Sequence, residues 1–115
     1  MAAVLILEDD PFRVKAFKRK FIGHSVTVTD NATEAIVLLK SKSWDYLFLD
    51  HDLGGEQMVS SGPGTGYEVA KFLEENPQYQ PVNIALHSLN PSGRKNMQMA
   101  LPEAIEAPFC WKEDY

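Results

Sequence analysis

The sequence has a single cysteine, no surplus of basic charge and no long apolar run, and each absence excludes a class of protein. Cys110 has no second cysteine to pair with, which excludes an internal disulfide and a cysteine-based zinc site. The longest apolar runs span only a few residues, whereas a membrane helix needs roughly 20. The net charge of −5 argues against non-specific nucleic-acid binding, which depends on Lys and Arg displacing counterions. Because the first residues also lack the pattern of a signal peptide, we expect a cytoplasmic protein without nucleic-acid or membrane partners.

The length and composition are those of one globular domain. A chain of 115 residues can bury a core but is too short for two domains. Its apolar fraction of 44% and charged fraction of 23% are ordinary for a globular protein, and no internal repeat is visible. We therefore expect a single domain over residues 1–115.

Short apolar runs, typical of strands buried on both faces, alternate with amphipathic helical patterns. The predicted strands are residues 4–7, 26–28, 46–49, 82–86 and 109–111. Residues typical of helix N-caps precede the helical patterns, namely Asp10, Asn31, Thr65 and Asn90. The glycine-rich stretch 54–66 is predicted to be a loop. This alternation predicts an α/β domain with a parallel sheet and helices on both faces.

Polar residues follow three of the predicted strands. Glu8 and Asp9 follow the first, Asp50 follows the third, and His87 with Ser88 follows the fourth. Ligands of open parallel sheets bind beyond the carboxyl ends of the strands, so these side chains are expected to converge at one edge.

Carboxylates gathered at one edge repel one another, and a bound divalent cation relieves that repulsion. Oxygen ligands favour Mg²⁺, Mn²⁺ or Ca²⁺ over zinc. A carboxylate beside such a metal can also attack phosphorus. For Asp10 the alternative is a purely structural role as a helix cap.

Two motifs carry a family resemblance. Residues 4–11 lead from a hydrophobic strand into an acidic pair and a proline, and residues 46–55 lead from a strand through Asp50 into a glycine-bearing turn. This ordered pair resembles the receiver domains of response regulators. The resemblance implies a flavodoxin-like (CheY-like) doubly wound sheet of five parallel strands in the order 2-1-3-4-5.

The same resemblance implies a set of site residues and a cofactor. Glu8 and Asp9 match the metal-binding acidic pair, and Asp50 matches the phosphoacceptor, which is also a metal ligand. Asp52 matches the residue whose backbone carbonyl completes the metal shell. The implied cofactor is Mg²⁺ or Mn²⁺.

The chain departs from ordinary receivers in several places. His87-Ser88 stands where receivers have Thr or Ser followed by a small residue, so either His87 or Ser88 takes that switch position. Lys112 is the nearest match to the lysine that receivers carry after the fifth strand. The final helix of receivers is expected to be missing or truncated.

These departures, together with the triplet Asp50-His51-Asp52, resemble a divergent receiver branch proposed to process cyclic phosphates. In that interpretation a metal polarises a phosphodiester, and His51 or His87 shuttles a proton near neutral pH. Asp52 would serve as an acid or base if it faces the site. The alternative for His51 is a hydrogen bond to a loop carbonyl.

Three functions stay open on the sequence alone. The first is a metal-dependent phosphoesterase acting on a cyclic phosphate. The second is a single-domain response regulator phosphorylated on Asp50 in a phosphorelay, and the third is a degenerate receiver that acts as a binding module without metal. The expected partner is accordingly a phosphate-containing small molecule or a phosphodonor protein.

Overall fold

The computed structural model describes residues 1–53, 60 and 62–106, over which strands and helices alternate. The elements in chain order are β1 (Ala3–Leu7), α1 (Pro11–Lys20), β2 (Ser25–Thr29), α2 (Ala32–Ser41), β3 (Tyr46–Leu49), α3 (Gly66–Glu75), a 3₁₀ turn (Pro77–Tyr79), β4 (Asn83–Leu86), α4 (Pro91–Ala100) and β5 (Ile105–Glu106). None of the helices in these ranges has the length and apolar character that crossing a lipid bilayer requires.

All neighbouring strands are parallel, and the sheet order is β2-β1-β3-β4-β5, which confirms the predicted fold class and strand order. The fifth strand differs from the prediction, because Ile105 and Glu106 pair with β4. Both residues are exposed on an edge strand, so no buried apolar run marks them in the sequence. Residues 109–111, where this strand was predicted, lie outside the described residues.

The predicted N-caps are confirmed at the four α-helices that the described residues form. Asp10 accepts a hydrogen bond from the backbone N–H of Phe12, and Asn31 accepts one from Glu34. Thr65 and Asn90 cap α3 and α4 in the same way. Each cap satisfies a backbone donor that the first helical turn leaves without a partner, which sets where each helix begins.

The two faces of the sheet bury different sets of side chains. One face packs against α2, α3 and α4 through a cluster that includes Leu5, Leu7, Leu47, Leu49 and Leu86. The other face packs against Phe17 of α1 through Val4, Ile6, Phe48 and Ala85. Because side chains alternate along a strand, the side chain of the residue that follows each strand points to the same face as that of the residue two positions before it.

Candidate metal and phosphate site

The register of the central strands brings three polar residues side by side. Leu7 lies opposite Leu49, and Leu49 lies opposite Leu86. The ladder continues for one residue, because the N–H of Asp50 donates to the carbonyl of Leu7 at 3.1 Å and the N–H of His87 donates to that of Leu49 at 3.0 Å. The residues directly after β1, β3 and β4 therefore share one level at the carboxyl edge of the sheet.

These residues, Glu8, Asp50 and His87, form a group of potential metal ligands. One ligand atom from each lies within 4.8 Å of the others, and all three side chains are buried. Their side chains point to the same face of the sheet as those of Ile6, Phe48 and Ala85, which is the face that packs against α1.

Glu8 is held as an ionised carboxylate by several donors. Its Oε2 accepts hydrogen bonds from the backbone N–H groups of Asp9 at 3.1 Å and Asp10 at 3.0 Å. Its Oε1 lies 2.7 Å from Nε2 of His87, and Arg13 donates to both oxygens. Burial by itself raises the pKa of Glu8, but the hydrogen bonds from His87 and Arg13 outweigh it and lower the pKa to about 2.

Asp50 has the opposite environment. Burial, followed by the charge of Glu8, raises the pKa of Asp50 to about 8, and the charge of Arg13 offsets only part of this rise. Its Oδ2 is buried and has no hydrogen-bond partner among the described residues. A buried carboxylate oxygen without a donor is costly, and a bound cation removes that cost. The residues present therefore fit a divalent cation, which Glu8 and Asp50 would hold.

His87 is enclosed between Glu8 and the core. Its ring packs edge-on against Phe17 at a centroid distance of 5.1 Å, and its Nδ1 is buried without a partner in the described part of the chain. Burial lowers the pKa of His87 in spite of the carboxylate of Glu8, so the neutral form is favoured. The neutral ring then donates from Nε2–H to Oε1 of Glu8.

Arg13 is a member of this site that the sequence analysis missed. Its Nε and Nη2 form a fork with the two oxygens of Glu8 at 3.0 and 3.1 Å. Its Nη1 lies 3.6 Å from Oδ2 of Asp10, and its Nη2 lies 3.8 Å from Oδ2 of Asp50. The sequence contained a signal for this role, because Arg13 is a basic residue in the first turn of α1, where acidic side chains are normally favoured.

The two remaining members of the acidic run have different roles. Asp9 is half-buried, and its charge contributes to the raised pKa of Asp50, so it lies near that carboxyl group. Asp10 caps α1, as predicted, and its Oδ2 also lies 3.6 Å from Arg13.

His51 and Asp52 form a separate polar cluster on the opposite face of the sheet. His51 is buried, its Nδ1 lies 2.8 Å from Oδ1 of Asp52, and its ring packs so closely on Gly93 that a Cβ there would lie 2.3 Å from Cγ of His51. Asn90 donates from Nδ2 to Oδ1 of Asp52 at 3.0 Å. His51 points away from the side of Asp50 because successive residues of an extended chain point to opposite faces. Its contact with Gly93 and the hydrogen bond from Asn90 to Asp52 connect the segment after β3 to the first turn of α4.

Ser88 also contributes to the start of α4. Its Oγ accepts a hydrogen bond from the N–H of Asn90 at 3.1 Å, and its carbonyl accepts one from Arg94. Of the two residues considered for the switch position, His87 is the one whose side chain contacts Glu8. Lys112 lies outside the described residues.

Solved structures share this fold at low sequence identity. The phosphorylated cyanobacterial phytochrome response regulator RcpA has a TM-score of 0.75 at 14% identity, over 96% of this chain and 82% of its own. The response regulator TrrA of Thermotoga maritima, in complex with Mg²⁺ and BeF, has a TM-score of 0.74 at 20% identity, over 99% and 91% of the two chains. The Mn²⁺-bound response regulator Rcp1 has a TM-score of 0.72 at 13% identity, over 97% and 84%. At these identities the likeness shows the fold alone.

The sequence also matches a family model. No curated protein sequence matches the chain. The model of the cyclic-phosphate processing receiver domain, however, matches residues 4–103, which extend from the second residue of β1 past the end of α4 and include every member of the Glu8, Asp50 and His87 group. Since this match takes in most of the chain and the fold agrees with it, the chain belongs to the family of cyclic-phosphate processing receiver domains.

Proposed function

We propose that the domain binds a divalent cation, Mg²⁺ or Mn²⁺, with Glu8 and Asp50 and hydrolyses a cyclic phosphate or a related phosphoester. The observation that carries the proposal is the buried Oδ2 of Asp50, which has no hydrogen-bond partner among the described residues and lies in a group with Glu8 and His87. The name of the matching family supports the choice of substrate class.

A bound cation would polarise the phosphate and lower the pKa of a coordinated water. Glu8 and Asp50 would hold it, with Asp9 supplying further negative charge nearby. Because neutral His87 donates from Nε2–H to Oε1 of Glu8 at 2.7 Å, it would orient this ligand, and the proton of an attacking water would pass to solvent. Attack on phosphorus then breaks one ester bond of the ring, and the leaving oxygen takes a proton to give a phosphomonoester.

Three residues of the sequence prediction have other roles in this proposal. His51 and Asp52 bind each other on the α4 side of the sheet, so we propose that they position the segment after Asp50. Ser88 supports the N-cap of α4 through its hydrogen bond from Asn90. A role for Lys112 stays a prediction.

Hydrolysis is tested by incubating the protein with nucleoside 2′,3′-cyclic phosphates and either Mg²⁺ or Mn²⁺ and separating the products. We expect a phosphomonoester from the unmodified protein, a strong loss in Asp50→Asn, and full activity in the exposed control Asp30→Asn. Absence of product with every metal would contradict the proposal.

A second candidate function is phosphorylation of Asp50 itself. The same unpartnered oxygen of Asp50 is suited to attack phosphorus, and the similar structures include a phosphorylated regulator and a complex with Mg²⁺ and BeF. Acetyl phosphate with Mg²⁺ should then add one phosphoryl group, seen as an intact-mass increase that hydroxylamine reverses and that Asp50→Asn lacks.

A third function, binding without metal, predicts that calorimetric titration with Mg²⁺ or Mn²⁺ gives no signal.

A further inference from the structure

Arg13 places a positive charge inside the acidic site. Its guanidinium forms two hydrogen bonds with Glu8 and is 3.6 Å from Asp10 and 3.8 Å from Asp50. The side chain is only 18% exposed, whereas the neighbouring basic residues of α1, including Lys15, Lys18 and Arg19, are exposed. The position of Arg13 therefore differs from that of an ordinary solvated helix residue.

The guanidinium and a metal ion require the same carboxylate oxygens. A cation held by the carboxylates of Glu8 and Asp50 would need space beside both, and Nη2 of Arg13 is already 3.1 Å from Oε2 of Glu8 and 3.8 Å from Oδ2 of Asp50. Two cations cannot share that space, because both the contact and the charge repulsion are unfavourable.

The fork of Arg13 does not complete the site. The distance of 3.8 Å to Asp50 is too long for a hydrogen bond, so Oδ2 of Asp50 has no donor among residues 1–53, 60 and 62–106 even though the arginine is present. Three carboxylates, those of Glu8, Asp10 and Asp50, also lie within 4 Å of this one guanidinium. The arginine thus compensates only part of the negative charge of the carboxylates, and the remaining charge favours the binding of a second cation.

We propose that Arg13 and the divalent cation are alternative partners of Glu8 and Asp50, and that metal binding releases the guanidinium to hold a phosphate oxygen of the ligand. The inference rests on the metal site proposed above and adds an exchange of partners at that site. A released guanidinium keeps its charge and its planar set of donors, which suit phosphate oxygens as well as carboxylates.

The proposed exchange predicts that Arg13→Gln changes the affinities for Mn²⁺ and for phosphate in opposite directions. Loss of the competing charge should tighten the binding of Mn²⁺ alone at least about fivefold, since removing one unit charge about 4 Å away alters the electrostatic energy appreciably. Loss of the guanidinium should weaken the binding of inorganic phosphate to the Mg²⁺-saturated protein by a similar factor. Arg13→Lys, which keeps the charge but lacks the fork, should bind Mn²⁺ with intermediate affinity.

Mn²⁺ binding is measured by the decrease of the electron paramagnetic resonance signal of the free ion, and phosphate binding by calorimetry. Arg19→Gln is the matched control, because it removes the same charge from an exposed position of α1 and corrects for the net charge of the protein. Far-UV circular dichroism establishes that each variant is folded, and Arg13→Lys provides the comparison if Arg13→Gln does not fold.

The outcomes separate this inference from the proposed function. If the unmodified protein and Arg19→Gln bind no Mn²⁺, the metal site and the exchange are both refuted. If both bind Mn²⁺ but Arg13→Gln binds it no more tightly than Arg19→Gln, or binds phosphate as well as the unmodified protein, the exchange alone is overturned. Tighter Mn²⁺ together with weaker phosphate binding supports it.

Discussion

At the scale of single residues, Glu8 and Asp50 show how neighbouring carboxyl groups acquire opposite properties. Both are buried, yet hydrogen bonds from His87 and Arg13 lower the pKa of Glu8 to about 2, whereas burial raises that of Asp50 to about 8. The two pKa values differ because several hydrogen-bond donors stabilise the carboxylate of Glu8, whereas Oδ2 of Asp50 has no donor among the described residues. Asp50 is therefore protonated over much of the neutral range when no cation is bound.

The substitution Asp50→Asn should stabilise the metal-free protein. The pKa of Asp50 rises from 3.8 to about 8 on folding, so the folded protein loses stability as the pH increases from about 4 to about 8. Asparagine carries no charge to bury and removes this loss. We expect a gain on the order of 2 kcal/mol near pH 8, and little gain near pH 4, in urea unfolding with EDTA present.

The control for this measurement is Asp30→Asn, which changes an exposed carboxylate. It should leave the free energy of unfolding nearly unchanged across the same pH range. A loss of stability in Asp50→Asn at high pH would show that the Asp50 carboxylate is stabilised by donors in the folded state, contrary to the geometry described above.

At the scale of elements, the start of α3 is pressed against the backbone that carries Asp50. The N–H of Gly66 donates to the carbonyl of His51 at 2.9 Å, and a Cβ on Gly66 would lie 1.9 Å from the carbonyl oxygen of Asp50. Because both groups are backbone, neither can rotate away. The helix therefore positions Asp50 only as long as residue 66 has no side chain.

Replacing Gly66 by alanine should displace either α3 or the segment after β3. We expect a loss of about 3 kcal/mol in the free energy of unfolding, together with weaker metal binding, because the backbone of Asp50 must shift. Thermal unfolding and Mn²⁺ titration measure the two effects.

Gly62→Ala provides the matched comparison, since a Cβ at that position meets no atom within 4 Å. It should be close to neutral in both measurements. Equal stability of the two alanine variants would contradict the close approach of α3 to Asp50.

At the scale of the whole molecule, the sheet separates two groups of polar residues. Glu8, Asp50 and His87 lie on the α1 side, and His51 and Asp52 lie on the α4 side with Asn90. The first group has an oxygen without a hydrogen-bond partner among the described residues and an arginine beside it, whereas the hydrogen bonds of the second connect the segment after β3 to α4. This division favours a chemical role for the first group and a positioning role for the second.

The raised pKa of Asp50 predicts that the stabilisation of the protein by metal depends on pH. To act as a ligand, Asp50 must lose the proton that it holds below about pH 8. Metal affinity should therefore rise roughly tenfold per pH unit from about pH 6 to about pH 8 and level off above that range. Thermal unfolding with and without Mn²⁺ over this range measures the effect as an increasing shift in Tm, which Asp50→Asn should lack.

A constant shift in Tm between about pH 6 and pH 8 would contradict this prediction. The exposed variant Asp30→Asn should follow the unmodified protein, because its carboxylate lies outside the site.

The sequence by itself determined the architecture of the described chain and the strand ends at which polar groups collect. Apolar runs predicted four strands, N-cap residues predicted where the helices begin, and the motifs around Glu8 and Asp50 led to the receiver fold. These features depend on local spacing and local hydrogen bonds, which a sequence displays directly. The edge strand at Ile105 was missed because its residues are exposed.

Only the tertiary structure decided which polar residues meet. The register of β1, β3 and β4 brings Glu8, Asp50 and His87 together, and the packing of α1 adds Arg13. His51 follows Asp50 directly in the chain and was expected to share its site, yet it lies against Gly93 of α4. The physical reason is the alternation of side chains across a sheet, which separates adjacent residues and joins distant ones.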